Sequence, residues 1–422
     1  MRWIRAAGRG LLVLAVVLAG YGASGAQAQG GLRGRGPLTL ATAGDLTGYL
    51  GPLLEGWNRA HPGERVTLVE LPDSADETRA QMITDLRAGD RGRFDVLNID
   101  VTWTSEFAAA GWVRPLPRNR FPLGSFLRPV VDTATYDGRL YAVPYVTNAG
   151  LLLYRKDVLD EEGVPPPRTW AELERYARTI APEHGLDGYA GQFLPYEGLT
   201  VNAAEAVYSA GGTILGGEGE RVTVGSAARE GIGFLARGVR DGWIPREALE
   251  YKEEESKRAF QDGRLLFLRN WPYAYVGASA PGSAVAGKIG AVPLPGPDGP
   301  GTSVLGGSNL AVSAHAEHAD TAARLITYLT SERVQRQVLT RGALPPVRAD
   351  LYRDPDLIRE FPYLPTLRRS VLAAAPRPES PRYDQVSMVV QAVVRDALTG
   401  HSTPEAAVRR LTRELADISR RG

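Results

Sequence analysis

Hydrophobic and polar positions alternate or recur along the first hundred residues in a regular succession. Residues 37–42 form an apolar strand-length run, residues 49–59 carry apolar side chains at helical spacing with Trp57 inward, and His61-Pro62-Gly63 stops that helix. Residues 66–71 alternate as a second strand, residues 75–87 return to helical spacing, and residues 94–99 make a third strand. Strand, helix, strand, helix, strand predicts a doubly wound α/β sheet, whose ligands lie beyond the carboxyl ends of the strands. Asp45 and Asp100 both fall just past such ends. An Asp there can equally open a helix as its cap.

The stretch 141–157 organises the rest. Its second half, residues 150–154, is continuously apolar, as in strands buried on both faces. Its first half places Pro144, Tyr145, Thr147 and Asn148 ahead of that strand, which predicts a rigid turn followed by polar groups that need partners in a neighbouring lobe or a ligand. Further on, Pro165–Pro167 mark a turn and Thr169 caps a helix, while residues 188–193 form a strand. Glu197 begins another helix, where a carboxylate suits the helix dipole or a ligand. Residues 252–260 predict a charged amphipathic helix with a solvated face, ended by Gly263. The strand 265–268 then delivers Arg269-Asn270-Trp271-Pro272-Tyr273, with Trp271 either an exposed ring platform or a core residue. Residues 304–312 predict a second bridging strand whose glycine pair lets backbone approach a ligand. Helical spacing continues over 321–339 and 403–420, with Ala375-Pro376-Arg377-Pro378 between them.

Length and composition narrow the class. A chain of 422 residues is too long for one core and predicts two or three domains. With 49 basic against 48 acidic residues there is no whole-protein field to draw in nucleic acid, and no nucleic-acid partner is expected. The absence of cysteine excludes disulfides, thiol nucleophiles and cysteine-ligated metals. At the N-terminus, Arg2 and Arg5 precede an apolar run over 11–19, and Ala26-Gln27-Ala28 supplies small residues at the end. This is the pattern of a secretory signal over residues 1–28, too short for a membrane span, followed by a flexible linker over 29–37. Leu18-Ala19-Gly20-Tyr21 resembles a lipobox with tyrosine where the acylated cysteine belongs. Cleavage near Ala28 and an exported, extracytoplasmic, soluble protein follow as the expectation, unless Tyr21 replaces a lipidated cysteine.

Six segments in this order resemble the extracellular solute-binding proteins of carbohydrate ABC importers, in particular the trehalose/maltose-binding family. They are DVLNIDVTW at 95–103, YAVPYVTNAGLLLYRKD at 141–157, YEGL at 196–199, RNWPYAY at 269–275, LGG at 305–307 and APRP at 375–378. The resemblance implies a two-lobe, periplasmic-binding-protein-like α/β fold of type II with a hinge and an interlobe cleft. Lobe 1 would comprise 38–146 plus 309–360, lobe 2 would comprise 147–305 plus 361–422, and the crossings would lie near 145–150 and 303–310. It implies a non-enzymatic protein that captures a sugar by lobe closure and hands it to the transmembrane permease subunits of an ABC importer. A monomer without cofactor or metal is expected. Residues matching Asp100, Trp271, Gly307 and Arg377 contact the disaccharide in that family, and Asn148 stands where relatives carry aspartate or asparagine. The expected ligand site is Asp45, Asp100, Asn148, Glu197, Trp271, Tyr273, Gly307 and Arg377. Trehalose is the first expectation, then maltose or another α-glucoside. Ser308 and Val146 depart from the pattern, standing where a second tryptophan and a tyrosine can occur. The chemistry suits a sugar, because carboxylates accept from hydroxyls, a guanidinium donates in a fixed fork, and an indole covers the apolar ring face.

Other readings fit parts of the pattern. Asp45, Asp100 and Glu197 could furnish the acid and nucleophile of a glycoside hydrolase, a choice that turns on their separation. A sensor module, or a binder of a small polyol or a glucosylated solute, would share the same site. Residues 282–289 match G-x-x-x-x-G-K but end on Ile289 where magnesium needs a hydroxyl. Ser308 lacks the second glycine of a nucleophile elbow, and His315 and His318 have no third ligand near them in sequence.

Overall fold

The computed structural model describes residues 32–420 except 45–47, 73, 90–91 and 217–220. The expected signal, Tyr21, the first part of the linker and Asp45 therefore lie outside the described residues. Nine strands make two sheets: β1 (Leu38–Ala43), β2 (Val66–Leu71), β3 (Val96–Asp100), β4 (Ala142–Ala149), β5 (Leu151–Arg155), β6 (Asp187–Ala190), β7 (Leu265–Asn270), β8 (Ile289–Pro293) and β9 (Leu305–Val312). The first sheet has the order β2-β1-β3-β9-β4, with β1–β3 parallel and β9 antiparallel to both its neighbours. The second has the order β8-β5-β7-β6. The expected βαβαβ unit is present, its two helices being Leu50–Ala60 and Ala75–Arg87.

The continuous apolar runs lie where sheets are covered on both faces. Leu151, Leu152 and Leu153 of β5 are fully buried, as are Leu265 to Leu268 of β7. Strand β7 runs two residues further than the sequence predicts, because Arg269 and Asn270 also pair with β5 while their polar groups are bonded inside the protein.

The structure corrects the reading of Pro144 as a rigid turn ahead of the strand: residues 144–148 are themselves strand. These residues are the middle of β4, and all but Tyr145, which the register shift leaves out, pair with β9. Pro144 is tolerated there because β4 is the edge strand and the register shifts beside it, between Ser308 and Asn309. Residues 147–149 and 305, which the sequence assigns to the second lobe, hydrogen-bond in the first sheet, so the chain passes between sheets at Gly150 and just before Leu305. The helical spacing over 321–339 breaks into two helices, Ala319–Leu329 and Glu332–Gly342. The break follows Thr330, whose hydroxyl bonds back to Ile326 O at 2.8 Å, and Ser331, which adopts extended backbone. The threonine cap expected at Thr169 is formed, and Glu172 completes it as a capping box.

Gly307 is the tightest point of the paired strands. Its φ is +118°, and a Cβ there would stand 2.2 Å from Val146 O. Gly307→Ala should therefore lose about 2 kcal/mol or more of unfolding free energy in urea titration. Gly277→Ala, whose Cβ would meet only the flexible side chains of Lys257 at 3.3 Å and Gln261 at 3.5 Å in the helix Tyr273–Ser279, should be neutral or stabilising.

Candidate functional site

Arg377 lies in the segment between the helices Leu364–Ala373 and Tyr383–Leu398 and is 4% exposed. A buried guanidinium must be bonded and neutralised. Its Nη2 donates to Asp100 Oδ1 at 2.7 Å and its Nη1 to Glu197 Oε1 at 2.5 Å. Asp100 ends β3 of the first sheet, while Glu197 opens the helix Glu197–Ser209 on the side of the second sheet. Asp100 also accepts from Thr102 N at 2.9 Å and Thr102 Oγ1 at 2.7 Å, so it caps a short helix and binds Arg377 at once.

Glu197 receives two further donors that the sequence reading missed, Tyr383 Oη at 2.5 Å and Ser387 Oγ at 2.6 Å. These stand one turn apart on the helix Tyr383–Leu398, among the buried Val386 and Val390. A Tyr and a Ser at i,i+4 within an apolar helix face was the available signal. Burial pushes the Glu197 carboxyl above the ordinary glutamate range, outweighing the opposing pull of Arg377 and the two hydroxyls. Burial also opposes the charge on Arg377, but Asp100, Tyr383 and Glu197 together hold it well above its usual value. Burial likewise raises the Tyr383 phenol, which therefore stays a donor.

Strand β9 joins this cluster to a second one. Ser308 pairs with Asp100 across the sheet, and two residues earlier Gly306 pairs with Asn148 of β4. A Cβ on Gly306 would stand 2.9 Å from Cη2 of Trp271, so the half-buried indole leaving β7 lies edge-on against this strand. Two residues along a strand span about 7 Å. Asp100, Asn148, Glu197, Trp271, Gly307 and Arg377 are thus gathered along one strand where the sheets meet. Buried polar atoms there lack partners among the described residues: Arg377 Nε, Ser308 Oγ, Thr147 Oγ1 and Asn98 Oδ1. Buried groups of this kind are ordinarily hydrogen-bonded, to protein, to water or to a ligand.

Tyr273 is turned elsewhere. Its hydroxyl donates to Glu254 at 2.8 Å and Lys257 lies 5.0 Å from its ring centroid, both on the helix Glu253–Gln261. That helix is more than the solvated face expected of it, since Glu253 also accepts from Tyr196 Oη at 2.5 Å. Its acidic first turn anchors Tyr196, next to Glu197, and Tyr273, two residues after Trp271. Asp100 and Glu197, the carboxylates a glycosidase would need as acid and nucleophile, share one guanidinium. Among the described residues no three His, Asp or Glu side chains are grouped to hold a metal ion, and no helix is long and apolar enough to cross a membrane.

Two sheets joined by chain crossings, with acidic, cationic and aromatic side chains gathered at the junction, define a two-lobe solute-binding protein. The chain belongs to the bacterial extracellular solute-binding proteins, whose family model matches residues 43–336. It is 34% identical over 378 residues to a probable ABC transporter-binding protein of Deinococcus radiodurans, covering 85% of this chain and 88% of that one. Its structure is similar to that of maltose-bound MalE3 of T. maritima, with a TM-score of 0.85 and 34% identity over 90% of this chain and 99% of that one. A mannitol-binding protein of Pseudomonas aeruginosa is 31% identical over 138 residues, 31% of each chain. The family and these relatives are substrate-binding proteins rather than enzymes, and the Deinococcus radiodurans relative is named for an ABC transporter.

Removing the shared guanidinium strands two carboxylates. Arg377→Met should lower unfolding free energy at neutral pH by about 3 kcal/mol. The loss should shrink as pH falls. A carboxyl whose folded pKa is raised contributes its full stability below the ordinary glutamate range and loses it as pH rises through the raised folded value. Adding Glu197→Gln to Arg377→Met should restore part of the loss at neutral pH and flatten the pH dependence, both readable from urea titrations across the acid range.

Proposed function

We propose that this protein is the sugar-capturing component of an ABC importer, and that its ligand is an α-linked glucose disaccharide, trehalose first and maltose next. The observation that carries the reading is the single guanidinium of Arg377 joining Asp100 of the first sheet to Glu197 beside the second. A ligand touching both sides favours the closed form by the difference in its affinity for the two states. The lobes would hinge at Gly150 and just before Leu305. Asp100 and Asn148 would accept from sugar hydroxyls, Arg377 would donate through Nε, which has no partner among the described residues, and Gly307 would admit the ligand to the backbone of β9. Trp271 would cover the apolar C–H face of one glucose ring. Exported and free in the extracytoplasmic space, the loaded monomer would then dock on its permease.

A polyol is the second reading, favoured by the mannitol-binding relative. The two separate on one side chain, because an open-chain polyol has no ring face to stack. Trp271→Ala should weaken binding of trehalose or maltose by roughly 30- to 1,000-fold, equivalent to about 2–4 kcal/mol. Calorimetry of wild type and variant against trehalose, maltose and mannitol checks this. Disaccharide binding lost in the variant supports the first reading. Mannitol binding that survives Trp271→Ala, with no heat from either disaccharide in wild type, supports the second. Chromatography of the titrated samples should recover the disaccharide intact, and small-angle scattering should show wild type compacting on binding.

A further inference from the structure

Trp271 is held from one face by a buried charge. The guanidinium carbon of Arg269 lies 4.1 Å from the centre of the indole ring. Arg269 is 1% exposed, deeper than a charge that serves only surface electrostatics. Its Nε donates to Glu205 Oε2 at 2.6 Å, its Nη2 to Glu205 Oε1 at 2.7 Å, and its Nη1 to Gln192 Oε1 at 2.9 Å. The fork–fork pair fixes the plane of the guanidinium, and that plane fixes the ring stacked upon it.

Glu205 reaches on to the crossings. Its Oε1 accepts from Ser303 Oγ at 2.8 Å and Val304 N at 3.3 Å, and Gly150 N donates to Ser303 Oγ at 2.6 Å. A Cβ on Gly150 would stand 2.5 Å from Glu205 Oε1, so the ion pair fills the space beside the crossing. The third segment joins through backbone: Ala375 N donates to Ser303 O at 3.0 Å and Leu305 N to Ala375 O at 2.8 Å, two residues before Arg377. From the indole to both crossings and to the segment that carries Arg377 there is an unbroken chain of contacts.

We propose that Arg269 is a positioning residue for sugar recognition: gripped by Glu205, it holds the indole of Trp271 against Gly306, so that a sugar stacked on the ring acts on the chain crossings themselves. This rests on Trp271 being the sugar platform. Arg269 does not touch the sugar; it acts through the ring, and Glu205 through Arg269. Were the pair only an internal neutralised charge, its loss would cost stability and leave the ring's contribution to binding unchanged.

A double-mutant cycle separates these roles. Arg269→Lys keeps the charge on Glu205 but loses the flat fork. It should lower affinity for trehalose or maltose about tenfold, and in the Trp271→Ala background it should cost less than about threefold more. The indole contribution to fluorescence, taken as the difference between each protein and its Trp271→Ala counterpart, should become more accessible to acrylamide in Arg269→Lys. If that variant fails to fold, Ser303→Ala, which leaves the Arg269–Glu205 pair intact and cuts the hydroxyl that ties Glu205 to Gly150, should lower affinity at least threefold, and that loss too should vanish in the Trp271→Ala background. Unchanged affinity in the folding variant, or an equal loss with and without the ring, overturns the inference. If Trp271→Ala alone leaves disaccharide affinity unchanged, the platform reading fails and the inference falls with it.

Discussion

One desolvated guanidinium sets the terms for the rest of the site. Arg377 is buried between two carboxylates that come from different parts of the fold, and a charge so placed is tolerated only while both partners stay in reach. That constraint explains why the segment before the helix Tyr383–Leu398 is tied to Ser303 and Leu305 by backbone bonds, and why Tyr383 and Ser387 brace Glu197 from behind. The same constraint makes the site responsive. A group that is costly to leave unpaired in either sheet alone makes the relative placement of the sheets matter energetically, whereas an apolar contact would change by small increments.

Strand β9 is the second organising element. It pairs with β3 on one side and β4 on the other, and its residues 306–308 stand beside the indole, beside the backbone of β4 and opposite Asp100 in turn. Three side-chain-poor positions in succession let three different elements approach one strand. A larger side chain at 306 would collide with the indole of Trp271, and one at 307 with the backbone of β4.

Much of this was legible in sequence. The βαβαβ unit, the buried runs of β5 and β7, the threonine cap at Thr169 and the bridging strand with its glycine pair follow from hydrophobic period and from the backbone freedom of glycine. Asp100, Glu197 and Trp271 stood out by their places at strand ends and at a helix start, whereas Arg377 was singled out only by the resemblance of Ala375-Pro376-Arg377-Pro378 to the sugar-binding family. What escaped has physical reasons. Pro144 argued for a turn because an isolated proline says nothing about whether its strand is at an edge. Tyr383 and Ser387 lie on a helix with no sharp start signal, and their role depends on Glu197, 186 and 190 residues away. Arg269 looked like one residue of a strand exit, because a buried ion pair with Glu205 is a fact of tertiary distance that no local pattern encodes.

The edge of the first sheet carries one more consequence. Strand β4 presents a proline with no N–H to offer, and beside it Thr147 N is taken by Pro345 O while Val146 is bridged to Pro346. Prolines from two parts of the chain thus occupy the rim where a foreign strand would otherwise add on. At these positions the rim offers a foreign strand no free backbone donor, which lowers the self-association hazard that an unguarded sheet margin brings.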